Sequence, residues 1–456
     1  MSDDPISPPT PASVPKSPSA IKKEAHEASS ATARQASSER PWRAVQALGR
    51  LRMFEALRYR EYRLIWYAQI FASQATWMDQ VARGWLLYEL TNSTFQLGLV
   101  RGVQAIPILL LSPLAGSVAD RYSRKNHVLV AQIVDGVLFA IVAALIFAGR
   151  IEPWHVYVTA FGMSVVQAFQ QPSRAAMIGD AVPVSHLTNA IGLNSIIFNV
   201  SRSAGPAIAG LLIAVVGTGG AYTAQAVCYF LATIWTMQLS SSRSAASGAH
   251  GKHGPDESFG KSIIAGWKFS WRNEAVRASL LIVACSSIFI IPFMTLLPVF
   301  ARDILNVGAT GQGVLLSAMG IGALFSSVLI ASFGDRVPRM NIMLVGVTLY
   351  GIIVAAFAVS PSFKLSVLLM GFVGVVHVTS HALAQTVIQT YSPSEFRGRT
   401  MALYHMTHVI LLVGGILIGA LASWVGAQWA TASMSIAGAL SMLGIYLALP
   451  RARAIR

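Results

Sequence analysis

Residues 116–126 read GSVADRYSRKN, and residues 331–339 read ASFGDRVPR, so a short charged stretch occurs twice in the chain. The matching pairs are Asp120 and Asp335, Arg121 and Arg336, and Arg124 and Arg339. Each copy separates two long apolar segments. The repetition predicts two similar halves, with a charged turn at the same place in each.

The composition is that of a membrane protein. Hydrophobic residues make up 54% of the 456 residues and charged residues only 12%, whereas soluble domains carry about twice this charged fraction. The net charge of +15 could suggest nucleic acid. However, the basic residues lie in short loops and tails between apolar segments, as topology signals do, so we expect no nucleic-acid partner. Cys228 and Cys285 fall in apolar segments, which excludes a disulfide framework or metal-ligand spacing.

Twelve apolar segments follow one another, each long enough to cross a hydrocarbon core of about 30 Å as a helix. They are predicted at 64–90, 95–118, 127–148, 154–176, 187–216, 219–239, 275–300, 310–333, 341–359, 364–389, 400–424 and 428–449. The sequence therefore predicts an all-α membrane protein with twelve transmembrane helices in two pseudo-symmetric six-helix bundles.

The stretches outside these segments differ in composition. The N-terminal tail is rich in Ser, Pro, Ala and charge, which predicts disorder, and it lacks the apolar centre of a secretory signal peptide. Residues 51–63 predict a basic, amphipathic lead-in at the membrane surface. The predicted domains are 1–52, a disordered tail; 53–239, the first bundle; 240–274, a linker with an interfacial helix at 259–272; 275–450, the second bundle; and 451–456, a basic tail.

The positions of Lys and Arg predict the orientation. Both termini, the linker and the even-numbered loops together hold 28 of the 34 basic residues, and the opposite loops hold three. By the positive-inside rule, both termini and the linker are expected in the cytoplasm, with the chain in the cell (inner) membrane. Two halves of equal topology predict a parallel repeat around a central cleft that can open to either side.

The charged stretch resembles a signature of the major facilitator superfamily, roughly G-x-L-a-D-R-x-G-R-K. The matching residues are Gly116, Asp120, Arg121, Arg124 and Lys125, while Ser123 replaces the second glycine. A second stretch, Gly205-Pro206-Ala207-Ile208-Ala209-Gly210, resembles the G-P-x-x-G-G of proton-coupled exporters, with Ala209 in place of one glycine. Residues 85–91, 172–174 and 396–399 resemble the branch that includes the enterobactin exporter and related efflux permeases.

The resemblance implies a conformational gate at the charged stretch. Asp120 would cap the eleventh segment near Thr400, and Arg124 would reach an acid at the end of the fourth segment, for which Asp180 is the candidate. Asp335, Arg336 and Arg339 would act likewise in the second half. These contacts would hold the cytoplasmic side closed. The alternative is a solvated loop that only obeys the positive-inside rule.

Asp79 and Asp135 are the two carboxylates well inside apolar segments, where ionisable residues are costly and usually functional. Arg83 follows Asp79 by one helical turn, and Arg202 lies at comparable depth in the fifth segment. We expect these four residues to couple proton entry to rearrangement. The alternatives are a structural ion pair for Asp79 and a packing or gate-supporting role for Asp135.

His377 and His381 lie one turn apart in the tenth segment, and the repeat aligns them with Gln167 and Gln171. In the major facilitator fold these segments are expected to line the cavity, so the two pairs would face each other across it. Trp77 could flank an aromatic ligand. The alternatives are histidines hydrogen-bonded between helices or, with weak support, a transition-metal site.

The function predicted from the sequence is secondary-active export of an amphipathic small molecule, such as a siderophore, drug or metabolite. The proton gradient would be the energy source, with no cofactor and no metal, and we expect a monomer. A primary pump is excluded because residues 254–262 have five residues between the glycines where a nucleotide-binding loop needs four. No pattern indicates an enzyme. Uptake by the same fold and a non-transporting receptor remain the alternatives.

Overall fold

Long helices make up most of the chain in a computed structural model, which describes residues 52–121, 123–240, 259–333 and 339–449. Within these ranges the side chains of 52–53, 112–121, 171–172, 259–263, 331–333 and 408–409 are not described. The chain divides into two units, Met1–Glu55 and Ala56–Arg456, and everything below concerns the second. Three predicted stretches lie outside the described residues. They are the N-terminal tail at 1–52, except Arg52, residues 241–258 of the linker, and the C-terminal tail at 451–456.

A short 3-10 helix, Arg52–Arg58, precedes twelve α-helices. They are α1 (Arg60–Thr91), α2 (Thr94–Arg121), α3 (Arg124–Phe147), α4 (Pro153–Asp180), α5 (Val184–Met237), α6 (Phe259–Arg272), α7 (Glu274–Cys285), α8 (Gly308–Phe333), α9 (Arg339–Val359), α10 (Phe363–Tyr391), α11 (Ser394–Val425) and α12 (Ala427–Ala448). Short π, 3-10 and α-helical turns carry α7 on to Ile304. The helices run between two ends of the protein. The term basic end is used below for the end where α3, α7, α9 and α11 begin, and the term distal end for the opposite one.

Nine helical stretches of the described chain are long and apolar enough to cross a membrane. Helices α1 and α4 have the length, but their polar and charged side chains lower their hydropathy. Helix α5 has 54 residues and bends at Gly217, whose φ of 77° and ψ of 173° leave the helical region. Only glycine adopts such a backbone readily, so the bend falls at the boundary predicted between the fifth and sixth segments.

One local prediction is wrong. The charged stretch 116–126 is mostly helical, because α2 continues to Arg121 and α3 starts at Arg124. Polar residues at a membrane surface can stay helical, so the helix outlasts its apolar part. The predicted lead-in contacts the rest of the protein. Ala56 is fully buried, and the Tyr62 hydroxyl donates to the carbonyl of Ala190 near the start of α5 at 2.7 Å. Its position at the membrane surface stays a prediction.

Corresponding turns in the two halves keep the same backbone geometry. Pro183 and Pro393 precede α5 and α11 with φ/ψ of −59°/153° and −55°/154°. Left-handed residues follow at matching places: Asn92 and Asn306 have φ of 47° and 54°, and Gly217 and Gly426 have φ of 77° and 86°. The repeat seen in the sequence therefore extends to the backbone.

Contacts between the halves run mainly through α5 with α8 and through α2 with α11. Glycines let these backbones meet near the distal end. A Cβ on Gly210 would lie 2.5 Å from the carbonyl oxygen of Ala309, and one on Gly313 would lie 2.5 Å from that of Pro206. On the other interface, Thr94 of α2 donates to the carbonyl of Gly419 on α11 at 3.2 Å. The helices are therefore in close contact at the distal end.

Candidate functional site: a charged cavity in the first half

A cavity of about 640 Å³ lies among α1 to α5, within the size range of small-molecule sites. One wall is a polar stripe along α1, formed by Gln69, Ser73, Thr76, Gln80 and Arg83. Their alternating spacing of four and three residues places them on one helical face. The cavity reaches the basic end, because the exposed residues Gly179, near the end of α4, and Ile191, near the start of α5, also line it. The spacing of these residues in the sequence indicates such a stripe, of which only Arg83 was among the predicted site residues.

The predicted pair of Asp79 and Arg83 is present and borders the cavity. The Nε of Arg83 donates to Asp79 Oδ2 at 2.9 Å, and both residues are buried. The other carboxylate oxygen, Oδ1, is buried and has no hydrogen-bond partner. The arginine therefore satisfies only half of the carboxylate, which leaves one oxygen for a proton or a ligand.

Asp135 supplies a second carboxylate from α3. It is 3% exposed, and its Oδ1 is also buried without a hydrogen-bond partner. Tyr229 lines the same cavity, and its hydroxyl lies 3.0 Å from Thr76 Oγ1. A buried carboxylate with an unsatisfied oxygen is costly, so Asp135 favours the approach of a proton or a cationic group.

Arg174 is a cavity residue that sequence analysis missed. Arg174 lies near the end of α4, which continues to Asp180. Its guanidinium donates to Gln69 Oε1 at 2.7 Å, and Gln69 Nε2 donates to Ser73 Oγ at 2.5 Å. With Arg174, the cavity wall holds two basic residues and two acidic ones.

A small void at the boundary between the halves continues from the cavity. Trp77 and Gln80 line both spaces. The void measures about 10 Å³ and is bordered by Met294 and Met319 of the second half, so it could hold at most one water molecule. Arg202 also lies here, with its guanidinium carbon 5.8 Å from the centre of the Trp77 ring. Arg202 thus makes a cation–π contact with Trp77, and its predicted part in proton coupling stays a prediction.

The predicted pairs facing each other across the cavity are not seen together. Gln167 lines the cavity, and the side chain of Gln171 lies outside the described residues. His377 instead packs against Tyr350 with ring centres 5.5 Å apart, and His381 Nδ1 lies 3.4 Å from the Tyr404 hydroxyl. Neither histidine is among the residues that line the cavity. The contacts join α9, α10 and α11, which fits the alternative of histidines hydrogen-bonded between helices.

The basic end carries the described part of the predicted gate. Arg124 NH1 lies 2.5 Å from Asp180 Oδ2, the pairing expected from the family resemblance. Lys125 Nζ donates to the carbonyls of Met237, at 2.9 Å, and Leu239. Arg339 is the first residue of α9. The surroundings of Gly116, the side chains of Asp120 and Arg121, and residues Asp335 and Arg336 lie outside the description, so the gating role stays a prediction.

The second family stretch is a packing surface of α5. A Cβ on Gly205 would lie 2.6 Å from the Cβ of Trp77 on α1. Gly210 and the carbonyl of Pro206 contact α8 in the same way. The stretch therefore holds α5 between a helix of its own half and one of the other.

Comparisons with known proteins agree with this arrangement. A family model described as transmembrane secretion effector matches residues 52–455. The staphyloferrin A transporter of Staphylococcus aureus is 23% identical over 75% of this chain and 84% of its own length. The multidrug efflux pump Tap of Mycolicibacterium fortuitum is 25% identical over 86% of this chain and 96% of its own.

Solved structures show the same fold at low identity. The nucleoside transporter NupG is 14% identical, with a TM-score of 0.65 over 87% of this chain and all of its own. A bacterial homologue of the human lysosomal transporter Spinster, inward-facing and unoccupied, is 15% identical with a TM-score of 0.62, over 89% of this chain and 96% of its own. A family match over nearly the whole described chain, together with this fold, shows a multi-pass membrane transporter. The chain therefore belongs to the transmembrane secretion effector family, in the efflux-type branch of the major facilitator superfamily.

Proposed function

We propose that this chain exports an amphipathic small molecule by alternating access and is driven by protons that enter in exchange. The observation that carries the proposal is the pair of buried carboxylates, Asp79 and Asp135, each with one unpartnered oxygen at the cavity. A proton and a substrate can compete for such oxygens, because either one relieves the cost of a buried unsatisfied charge. No cofactor is needed.

The packing of the helices supports alternating access. The cavity reaches the basic end, whereas glycine-mediated contacts of α5 with α8 and of α2 with α11 close the distal end. We infer two six-helix bundles, one on each side of these contacts, that rock against each other. When the distal end opens, the charged cluster at the basic end, within which Arg124 and Asp180 pair in the first half, would meet the second half and hold that side closed.

The orientation follows from the basic residues. We place the basic end, both termini and the linker in the cytoplasm, with the protein in the cell membrane as a monomer. In this orientation the described cavity faces the cytoplasm, where an exporter collects its cargo.

The chemistry of the wall supports an amphipathic cargo. Trp77 and Phe198 present aromatic rings 5.3 Å apart, and Gln167 and Gln170 present amides, that of Gln170 with an unpartnered buried nitrogen. A drug or a siderophore combines such aromatic and polar groups. The names of the two relatives, a multidrug efflux pump and a transporter of the siderophore staphyloferrin A, support the same two classes.

Everted membrane vesicles test the direction and the coupling. With a respiration-driven acid lumen, ethidium or a catecholate siderophore should accumulate inside, and a protonophore should abolish the accumulation. An uptake carrier would instead move the probe outward. Asp79→Asn and Asp135→Asn should each reduce the proton-driven accumulation. If both variants kept it at the wild-type level, coupling through the carboxylates would be refuted.

A further inference from the structure

Helix α6 docks on the protein by one face only. Gly266 and Ser270 are buried, and the ring of Phe269 stacks on Phe396 of α11 with centres 4.7 Å apart and planes 10° apart. A Cβ on Gly266 would lie 2.8 Å from the Cβ of Arg399. This face therefore holds α6 against the start of α11 at the basic end.

The opposite face of α6 carries large exposed apolar side chains. Ile264 is 66% exposed, Trp267 57% and Trp271 50%, and their spacing of three and four residues places them on one side of the helix. The two indole rings stack with centres 5.7 Å apart and planes 11° apart. Paired tryptophans on an amphipathic helix are typical of a segment embedded at the level of the lipid headgroups.

Basic side chains flank this apolar face. Lys268 and Arg272 are exposed on α6. Arg277 lies with its guanidinium carbon 5.9 Å from the Trp271 ring centre, and its buried Nε has no hydrogen-bond partner. Among the described side chains of α6 and of the first turns of α7 and α11, basic residues outnumber acidic ones. The basic ones are Lys268, Arg272, Arg277, Arg397 and Arg399, and the acidic ones are Glu274 and Glu395.

We propose that this face, consisting of Ile264, Trp267, Lys268, Trp271 and Arg272 together with Arg277, binds anionic phospholipids of the leaflet at the basic end. The indoles and Ile264 would enter the headgroup region, and the three cations would attract negatively charged headgroups. A zwitterionic lipid satisfies the apolar side chains but leaves the cations without counter-charge, so the surface favours anionic lipid. This lipid preference is independent of the cargo and of proton coupling.

Quenching by brominated lipids tests the proposal on the full chain. Purified protein is reconstituted in phosphatidylcholine vesicles that contain about 30 mol% phosphatidylglycerol, and either lipid is brominated at the same mole fraction. The difference between wild type and Trp267→Phe/Trp271→Phe isolates the two α6 indoles from the other tryptophans. We expect this difference signal to be quenched about twofold more by brominated phosphatidylglycerol than by brominated phosphatidylcholine.

A charge-matched pair of variants shows whether the cations cause the preference. Lys268→Gln/Arg272→Gln should bring the ratio of the two quenching efficiencies close to one. Arg150→Gln/Lys364→Gln removes two exposed charges from the distal end and should leave the ratio unchanged. Salt at about 0.5 M should lower the wild-type ratio without any substitution on α6, because screening weakens the attraction.

Three results would overturn the proposal. Equal quenching by both lipids in the wild type would mean that α6 enters the interface without preference for charge. An unchanged ratio in Lys268→Gln/Arg272→Gln would exclude these two cations. Absence of quenching by either lipid would show that the face is turned to water or to a protein partner.

Discussion

Asp79 and Arg83 form a buried ion pair in which one oxygen of the Asp79 carboxylate has no hydrogen-bond partner. The stability of single and double variants shows how much each charge depends on the other. Removal of one partner of a buried pair typically costs about 3–5 kcal/mol, because the other charge stays buried without compensation. We therefore expect Asp79→Ala and Arg83→Ala each to lower the Tm in detergent clearly. The loss of Tm in the double variant should be well below the sum of the losses in the two single variants. Strictly additive losses would mean that the two side chains do not support each other.

The Arg124–Asp180 pair should behave differently because it is near the surface. The Asp180 side chain is 59% exposed, and pairs of this kind contribute about 1 kcal/mol or less to stability. Asp180→Asn should thus leave the Tm nearly unchanged and yet slow vesicle accumulation, if the pair closes the gate. The exchanged pair Arg124→Asp/Asp180→Arg should recover part of the rate. Full transport activity of Asp180→Asn would show that the Arg124–Asp180 pair is not needed to close the gate.

Contacts within one helix could be predicted from the sequence, whereas contacts between helices mostly could not. Asp79 and Arg83 meet within one helical turn, so spacing alone predicts their pairing. The sequence placed Arg124 near Asp180 only through a family resemblance. The contacts of Arg174 with Gln69 and of His381 with Tyr404 could not be predicted from the sequence, because packing between helices decides which faces of α4 and α10 meet their neighbours.

At the scale of elements, the close contact of α5 with α8 depends on a glycine, Gly210, which has no side chain to separate the two helices. A Cβ on Gly210 would press on the Ala309 carbonyl oxygen, which belongs to the backbone and cannot rotate away. We expect Gly210→Ala to weaken closure of the distal end, with a lower transport rate and faster labelling, by a thiol reagent, of a cysteine introduced at that interface. Gly192→Ala, on the same helix but with nothing within 4 Å of the added carbon, is the matched control and should behave as the wild type. Equal behaviour of both variants would contradict a closing role.

Helix positions were predicted well from hydropathy, and helix ends were not. Apolar length fixes where a segment crosses the bilayer, since the hydrocarbon core tolerates little else. The ends lie among polar groups, where a helix can continue at little cost, as in α2 up to Arg121 and α4 up to Asp180. Helix α6 was predicted at its observed bounds because Ile263, Ile264, Trp267 and Trp271 lie among lysines in that stretch.

At the scale of the whole molecule, the charge distribution predicts which side each end faces. In a chain with Cys228→Ser and Cys285→Ser, a membrane-impermeant maleimide should label Arg150→Cys in intact cells. It should label Lys268→Cys only after the membrane is permeabilised. The physical reason is the bias of basic residues toward the cytoplasm. Labelling of both positions from the same side would contradict the proposed topology.

The wall of the described cavity comes entirely from residues 69–229, in the first of the two similar halves of the chain. Under the proposed function the two copies of the repeat would have separate tasks: the earlier copy, which is the first half, would recognise the cargo, and the later copy, which is the second half, would move against it. Laboratory selection for a new cargo should therefore collect its substitutions in the earlier copy. Changes in the later copy should alter the speed of the cycle and leave the choice of cargo as it was.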